Sequence, residues 1–238
     1  RPEVVDTKSS PTDVVTELDR EAEALITSRL LGARPGDAVL GEEAGQAGVT
    51  GGAVRWVVDP LDGTVNYLYG LPQWAVSIAA EVDGEIVAGV VEVPRLGESY
   101  RALRGHGAFR NGQRLECGPG PELGQALVAT GFGYDAGRRK VQGEVAAALL
   151  PRVRDIRRAG SAAVDLCMVA AGWVDGYYER GLNYWDYAAG SLIAREAGAV
   201  VGGLSGRPES PAMTVAAGPS LYPRLAGFLA ALNPERDV

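Results

Sequence analysis

The sequence predicts a mixed α/β fold with antiparallel strands in the middle of the chain. Short apolar strands alternate with amphipathic helical segments, an order that is typical of layered α/β proteins. Two strand pairs turn at Asp83-Gly84 and Asn111-Gly112, dipeptides that favour tight hairpin turns. Many of the 33 glycines fall at predicted strand–helix junctions, where ligand sites often form. A chain of 238 residues without repeats or long linkers forms one large domain or two small ones.

The first predicted element is a helix over residues 12–31, in which apolar side chains recur at helical spacing. Pro11 near its start and Gly32 at its end fit the usual asymmetry of helix termini. The later elements are, in chain order, strands AVLGEE and VRWVVD, hairpins WAVSIAAEVDGEIVAGVVEVP and ESYRALRGHGAFRNGQRL, strand ALVATG, a helix over residues 136–150, strand DIRRAG, helix SAAVDLCMVAAG, strand VDGYYE, helix YWDYAAGSLIAREAG, strands AVVGG and MTVAAG, and a helix over residues 221–232.

Composition and charge exclude several classes of protein. The net charge of −7 argues against a general nucleic-acid-binding protein. No apolar run approaches the ~18 residues of a membrane span, and the first residues lack the apolar core of a signal peptide. Two cysteines, Cys117 and Cys167, are too few for a disulfide framework, so a reducing cytoplasm is expected. The one histidine, His106, lies in a glycine-rich turn, so no histidine-based metal site is expected.

The segment WVVDPLDGT brings two acids to the end of an apolar strand. Asp59 and Asp62 have no neighbouring lysine or arginine in the sequence, and buried carboxylates are costly unless something neutralises them. Mg²⁺ is a natural partner because it takes carboxylate, carbonyl and water oxygens. Pro60 and Gly63 can shape the turn so that both carboxylates and the Leu61 carbonyl face one point. A plain turn, with Asp59 as a cap, is the alternative from local chemistry.

Other acids stand at comparable places, and a phosphate site can form among them. Glu42 and Glu43 end the strand AVLGEE, and Asp186 opens the helix at NYWDYAAG. Thr64 opens a predicted helix whose backbone N–H groups favour an anion. Because the protein is acidic, metal ions are needed to screen the carboxylates from a phosphate. Asp13 and Glu17 are interpreted as a solvated helix face.

Five segments together resemble the inositol monophosphatase family of Mg²⁺-dependent, lithium-sensitive phosphomonoesterases. They are KSSPTDVVTELD, LGEEAG, WVVDPLDGTVNYLYGLPQWAVSI, IRRAGSAAVDLCMVAAGWVDGYYE and NYWDYAAGSLIAREAGAVV. They occur in the family's order and spacing and cover nearly the whole chain. The family usually has a further helix before the Lys8 region, which is not represented here.

The resemblance implies roles for individual residues. The implied metal ligands are Glu42, Asp59, the Leu61 carbonyl, Asp62 and Asp186. Thr64, Asp19 and Glu42 are implied to activate the attacking water. The implied substrate contacts are Asp62, Gly63, Thr64, Gly160, Ser161, Ala162, Glu179 and Asp186. Lys8 is implied to lie on a flexible loop beside the site. Glu43 is implied to support the metal ligands without binding a metal itself.

The resemblance also implies an αβαβα layered sandwich, a single domain over residues 1–238 and a homodimer. The implied enzyme is a cytoplasmic phosphatase with two to three Mg²⁺ per active site and a small phosphorylated polyol or sugar as substrate. No nucleic-acid or membrane partner is expected. Three alternatives stay open. One is a histidinol-phosphate, fructose-bisphosphate or 3′-phosphonucleotide phosphatase of the same superfamily. The others are a non-catalytic regulatory protein and a purely structural metal site.

Overall fold

The structure is a computed structural model that describes residues 4–7 and 14–237, and it confirms the mixed α/β fold. The helices are α1 (Glu17–Ala33), α2 (Thr64–Tyr69), α3 (Ala136–Leu149), α4 (Ala162–Ala170), α5 (Tyr184–Glu196) and α6 (Tyr222–Ala231). The strands are β1 (Val4–Thr7), β2 (Val14–Thr16), β3 (Ala38–Gly41), β4 (Gly45–Gly48), β5 (Arg55–Asp62), β6 (Ala75–Val82), β7 (Glu85–Val93), β8 (Glu98–Leu103), β9 (Ala108–Arg110), β10 (Gln113–Arg114), β11 (Leu127–Thr130), β12 (Asp155–Arg157), β13 (Gly176–Glu179), β14 (Val200–Gly202) and β15 (Thr214–Ala217). In the part of the chain that the structure describes, none of the helices has the length and apolar character of a membrane span.

The strands form two large sheets and one small hairpin. The eight-stranded sheet has the order β10-β9-β8-β7-β6-β5-β3-β4, and its one parallel pair is β3 with β5. The five-stranded sheet has the order β12-β11-β13-β15-β14, and β11 runs parallel to both of its neighbours. Strands β1 and β2 pair antiparallel with each other.

Helices and sheets stack in five layers. Helix α1 packs against β3 and β5. Helices α4 and α5 lie between the two sheets, and their buried side chains share one core with residues of both. Helices α3 and α6 pack on the five-stranded sheet in a second core. The order of layers is therefore α, β, α, β, α, as the resemblance implies, with mostly small and aliphatic side chains in the interior.

Strand β5 contains a bulge at its acidic end. Asp59 pairs with Ser77 of β6 and Asp62 with Ala75, so three steps on β5 oppose two on its partner. Pro60 lies within the bulge, where its missing N–H costs no ladder hydrogen bond. The bulge spans the segment DPLD and places Asp59 and Asp62 close together at the end of the strand.

Two local predictions were wrong. The first helix begins at Glu17 and not near residue 12, because residues 14–16 form β2. Thr16 and Asp19 make a capping box that starts the helix there. The segment AVLGEE is a strand only to Gly41, and β4, which was not predicted, follows the turn that holds Glu42 and Glu43. Glycine at 45 and 48 hid this strand from an apolar-pattern search.

Candidate active site

The end of β5 carries Asp59 and Asp62, and both carboxylates are held by hydrogen bonds. Asp59 is buried, and its Oδ1 accepts a 3.0 Å hydrogen bond from the Leu61 backbone N–H. Asp62 Oδ2 accepts hydrogen bonds from the Ser161 hydroxyl at 2.6 Å and the Ala163 backbone N–H at 2.7 Å. Since Ser161 caps α4, these bonds tie β5 to the start of that helix across 99 residues of sequence.

Gly63 turns the chain from β5 into α2. Its φ is +93°, a left-handed conformation that L side chains rarely adopt. A Cβ there would lie 3.0 Å from the Gln73 carbonyl oxygen and 3.1 Å from that of Gly160. The turn therefore requires glycine, and its backbone lies directly against the segment before α4.

Thr64 and Asp19 meet beside this turn. Thr64 Oγ1 lies 3.1 Å from Asp19 Oδ1 and 3.1 Å from the Leu61 carbonyl oxygen, so its single proton is shared between two acceptors. Asp19 is buried, and its Oδ2 accepts hydrogen bonds from the Thr16 backbone N–H at 2.7 Å and from the Thr16 hydroxyl. The Thr64 hydroxyl is thus fixed, with its lone pairs free to accept a hydrogen bond from water.

The turn that holds Glu42 is fixed by Glu23, a residue that the sequence analysis missed. Glu23 is buried on α1, and its two carboxylate oxygens accept hydrogen bonds from the backbone N–H groups of Glu43 (2.8 Å) and Ala44 (2.7 Å). Any side chain at Gly41 would collide with this carboxylate. The sequence signal was available, since Glu23 lies four residues after Asp19 on the same helix face.

Asp186 reaches the pocket from α5, and Glu179 reaches it from β13 of the five-stranded sheet. Asp186 Oδ2 accepts a 2.6 Å hydrogen bond from the Asn183 backbone N–H in the capping box of α5. Glu179 Oε2 accepts a 2.8 Å hydrogen bond from the Tyr177 hydroxyl, and its carboxylate packs where a side chain at Gly131 would lie. Burial raises the pKa of Glu179 to about 7.

The predicted site residues come together around one pocket of about 410 Å³. Those that line it are Glu42, Asp59, Leu61, Asp62, Gly63, Thr64, Gly160, Ala162, Glu179 and Asp186. Asp19 and Ser161 lie behind this lining, and each acts through a hydrogen bond to a lining residue. Lys8 lies outside the described residues.

The carboxylates repel one another across the pocket. Burial raises the pKa of Asp59 well above its ordinary value, and the charges of Glu42, Asp62 and Asp186 raise it further. Burial also raises the pKa of Asp62 to about 6, although its two hydrogen bonds lower it. Burial and the charges of Asp62 and Glu42 raise the pKa of Asp186. In the described part of the chain, no three His, Cys, Asp or Glu side chains already form a group that could hold a metal ion. Because the buried carboxylates repel one another, a cation that enters the pocket would be stabilised by their charges.

Two arginines line the same pocket, and the sequence analysis did not single them out. Arg138 is in the first turn of α3, and Arg158 directly follows β12. Burial raises the pKa of Asp62, Glu179 and Asp165, and the charge of Arg158 partly offsets this rise. The sequence holds little signal for them, because each has an arginine neighbour, Arg139 or Arg157, that does not line the pocket.

Comparison with known proteins decides the family. A family model described as the inositol monophosphatase family matches residues 1–234. The chain belongs to the inositol monophosphatase family. The inositol-1-monophosphatase SuhB of Mycobacterium tuberculosis (strain H37Rv) is 48% identical over 237 residues, which cover 95% of this chain and 81% of that protein.

Solved structures agree with this assignment. The extragenic suppressor protein SuhB from Bartonella henselae aligns with a TM-score of 0.89 and 38% identity over 96% of this chain and 89% of that one. The Thermotoga maritima IMPase aligns with a TM-score of 0.88 and 32% identity over 98% of this chain and 89% of that one. The predicted family and fold class are confirmed, and the chain is a phosphatase of the inositol monophosphatase family.

Proposed function

We propose that the protein is a Mg²⁺-dependent phosphomonoesterase that hydrolyses inositol monophosphate or a similar small polyol phosphate. The observation that carries the proposal is the convergence of Glu42, Asp59, Asp62 and Asp186 on one pocket beside the Gly63 turn. These acids come from separate parts of the chain, and their mutual repulsion is costly unless a cation enters. An acidic pocket needs such a cation before it can accept an anionic phosphate ester.

The chemistry of the donors fits Mg²⁺. The proposed ligands are Glu42, Asp59, the Leu61 carbonyl, Asp62 and Asp186, which are all hard oxygen donors, for two to three ions. Asp62 and Asp186 each use Oδ2 in a hydrogen bond to the protein, so Oδ1 of each is the oxygen offered to a ligand. When bound, the metal ions lower the pKa of a water molecule and stabilise charge on the phosphoryl group and the leaving oxygen.

The chain's own residues orient the reactants. The Thr64 hydroxyl, held by buried Asp19, positions a water molecule for in-line attack without a phosphoenzyme. The Gly63 and Thr64 backbone N–H groups donate to the phosphate oxygens. Ser161 and Ala163 keep Asp62 in place through their hydrogen bonds. Gly160 and Ala162 line the part of the pocket proposed for the alcohol part of the ester, and Glu179 accepts hydrogen bonds from its hydroxyl groups.

Compartment and assembly complete the proposal. Cys117 and Cys167 are free thiols, which supports a cytoplasmic enzyme. The homodimer is supported by the family resemblance alone. A non-catalytic regulatory protein would not need the full set of pocket acids, and this chain has all of them.

A panel of phosphate esters tests the function. Phosphate release with Mg²⁺ is measured from inositol 1-phosphate, histidinol phosphate, fructose 1,6-bisphosphate and adenosine 3′-phosphate. We expect the highest kcat/KM on an ester of a polyol or sugar. A preference for histidinol phosphate or the nucleotide would overturn the substrate class, and no release from any ester would overturn the function.

Replacing Glu179 by Gln should alter substrate choice more than chemistry. Gln keeps the size and most of the hydrogen bonding but removes a charge that polyol hydroxyls bind. We expect kcat/KM on inositol 1-phosphate to fall about 10-fold, the equivalent of ~1.4 kcal/mol. On p-nitrophenyl phosphate, which carries no polyol, it should change little.

Glu116→Gln is the matched control, because Glu116 is exposed and does not line the pocket. Equal losses on both substrates would place Glu179 in the catalytic machinery. No loss on either would remove it from substrate recognition.

A further inference from the structure

The pocket combines its acids with two arginine side chains that the proposed hydrolysis does not use. The side chain of Arg138 lies over the backbone of Gly133 and Gly181, with its Cδ 3.3 Å from where a Cβ of Gly133 would be. A Cβ on Gly181 would collide with the guanidinium of Arg138, and one on Gly160 with that of Arg158. Three glycines therefore leave the space that these two guanidinium groups occupy along the pocket.

Neither guanidinium has a salt-bridge partner in the described part of the chain, although Asp62, Asp165 and Glu179 interact with the charge of Arg158 at longer range. Among the described residues, no carboxylate lies within 4.0 Å of either guanidinium, whereas the neighbouring Arg157 pairs with Asp155 at 2.6 Å. Arg138 is also only half-exposed, so its charge is less well solvated than one on the open surface. An anion that contacts both arginines would gain charge-assisted hydrogen bonds with planar, bidentate geometry.

The position of these arginines limits which anion they can bind. The transferring phosphate is assigned to the acids and to the Gly63 turn, and Glu179 is assigned to hydroxyl groups of the alcohol part. Arg138 extends from α3 into the pocket and lies against Gly181, which is two residues from Glu179 in the sequence. Arg158 lies beside Gly160, which is also assigned to the alcohol part. A group that reaches both arginines would therefore belong to the part of the substrate that carries no reacting atom.

We propose that Arg138 and Arg158 form a subsite for a second anionic group on the substrate, a carboxylate or a second phosphate on the polyol being dephosphorylated. The inference rests on the proposed phosphomonoesterase function and names its substrate class more closely. It extends the role of this pocket from polyol monophosphates to polyol phosphates with a distal negative charge. The carboxylates of Asp135 and Glu179 also line the pocket, and among the described residues neither forms an ion pair with either guanidinium.

Matched pairs of esters test the subsite. Glycerol 3-phosphate and 3-phosphoglycerate differ by a carboxylate in place of a hydroxymethyl group, and fructose 1-phosphate and fructose 1,6-bisphosphate differ by one phosphate. For each pair, the ratio of kcat/KM for the ester with the extra anion to that for the ester without it is measured in the Mg²⁺-loaded enzyme. The variants are Arg138→Gln and Arg158→Gln, and the controls are their neighbours, Arg139→Gln and Arg157→Gln.

We expect the ratio to fall about tenfold in each pocket variant, mainly through KM, and to stay within about twofold of the native value in both controls. A fall confined to the glycerate pair assigns the subsite to carboxylates, and one confined to the fructose pair assigns it to phosphates. Unchanged ratios, or equal losses on both members of each pair, would overturn the subsite, and the second result would place the arginines on the transferring phosphate. If the native enzyme releases phosphate from none of the four esters but does so from inositol 1-phosphate, the subsite is also wrong while the phosphatase function stands.

Discussion

Chelation of divalent cations should reduce phosphate release to background, and added Mg²⁺ should restore it. The four proposed metal-binding carboxylates line the pocket, and burial and mutual repulsion already raise the pKa values of Asp59, Asp62 and Asp186. Without a cation, an anionic ester meets this negative charge and the pocket offers nothing that generates a strong nucleophile at neutral pH. The loss should be at least ~1,000-fold, since a catalytic metal ion contributes several kcal/mol of transition-state stabilisation.

The measurement is the rate of phosphate release after dialysis against EDTA and after stepwise addition of MgCl₂, at constant ionic strength set with KCl. Binding of Mg²⁺ to the chelated protein is followed independently by titration calorimetry. Calorimetric binding without recovered activity would point to a structural metal site. Undiminished turnover in the chelator would contradict the metal-dependent mechanism altogether.

The sequence predicted the acidic part of the site because that part is local. The strand, the proline and the glycine around Asp59 and Asp62 are contiguous, and the same holds for Asp186 at the start of α5. The turn chemistry of such segments is set within a few residues, so the local pattern together with the family resemblance indicates where the side chains go. What the sequence did not contain was the bulge that brings the two acids off β5 together, which depends on the register with β6.

Parts of the site that depend on long-range contacts were missed. Glu23 fixes the Glu42 turn across 20 residues of sequence, and the Ser161 hydroxyl contacts Asp62 across 99. Ser161 was expected to face the substrate, and in the structure its hydroxyl donates to Asp62. Arg138 and Arg158 cannot be told from their arginine neighbours until the fold places one of each pair in the pocket. Such residues are specified by packing, and one-dimensional patterns do not record it.

Replacing Asp62 by Asn should reduce kcat by at least ~100-fold while leaving the fold intact. The change removes one proposed metal ligand charge, and the loss of one preorganised charge-stabilising group is of this size. The amide oxygen of Asn can still accept the hydrogen bonds from Ser161 and Ala163, so the link between β5 and α4 should survive. Activity is measured over a range of Mg²⁺ concentrations, and structure by circular dichroism.

The same variant should stabilise the metal-free protein at neutral pH. The pKa of Asp62 is raised to about 6 in the folded protein, from an ordinary value of 3.8, so the folded state holds this proton more tightly than the unfolded state does. Stability of the metal-free native protein therefore falls as pH rises from about 4 to about 6, and stays lower above that. Asn carries no such penalty, so its gain in Tm should be present at pH 8 and absent at pH 4.

Asp83→Asn separates this effect from a general response to the loss of a carboxylate. Asp83 is exposed in the hairpin turn at φ +51°, a conformation that Asn tolerates, and it lies outside the candidate site. This control should leave both kcat and the pH dependence of Tm unchanged. If Asp62→Asn keeps a near-normal rate with unchanged Mg²⁺ dependence, Asp62 is not a metal ligand. The proposed ligand set must then be centred on Asp59 and Asp186. If it loses activity and also melts earlier at pH 8, the carboxylate serves the fold through Ser161 and Ala163, and the loss of rate is no evidence for a metal.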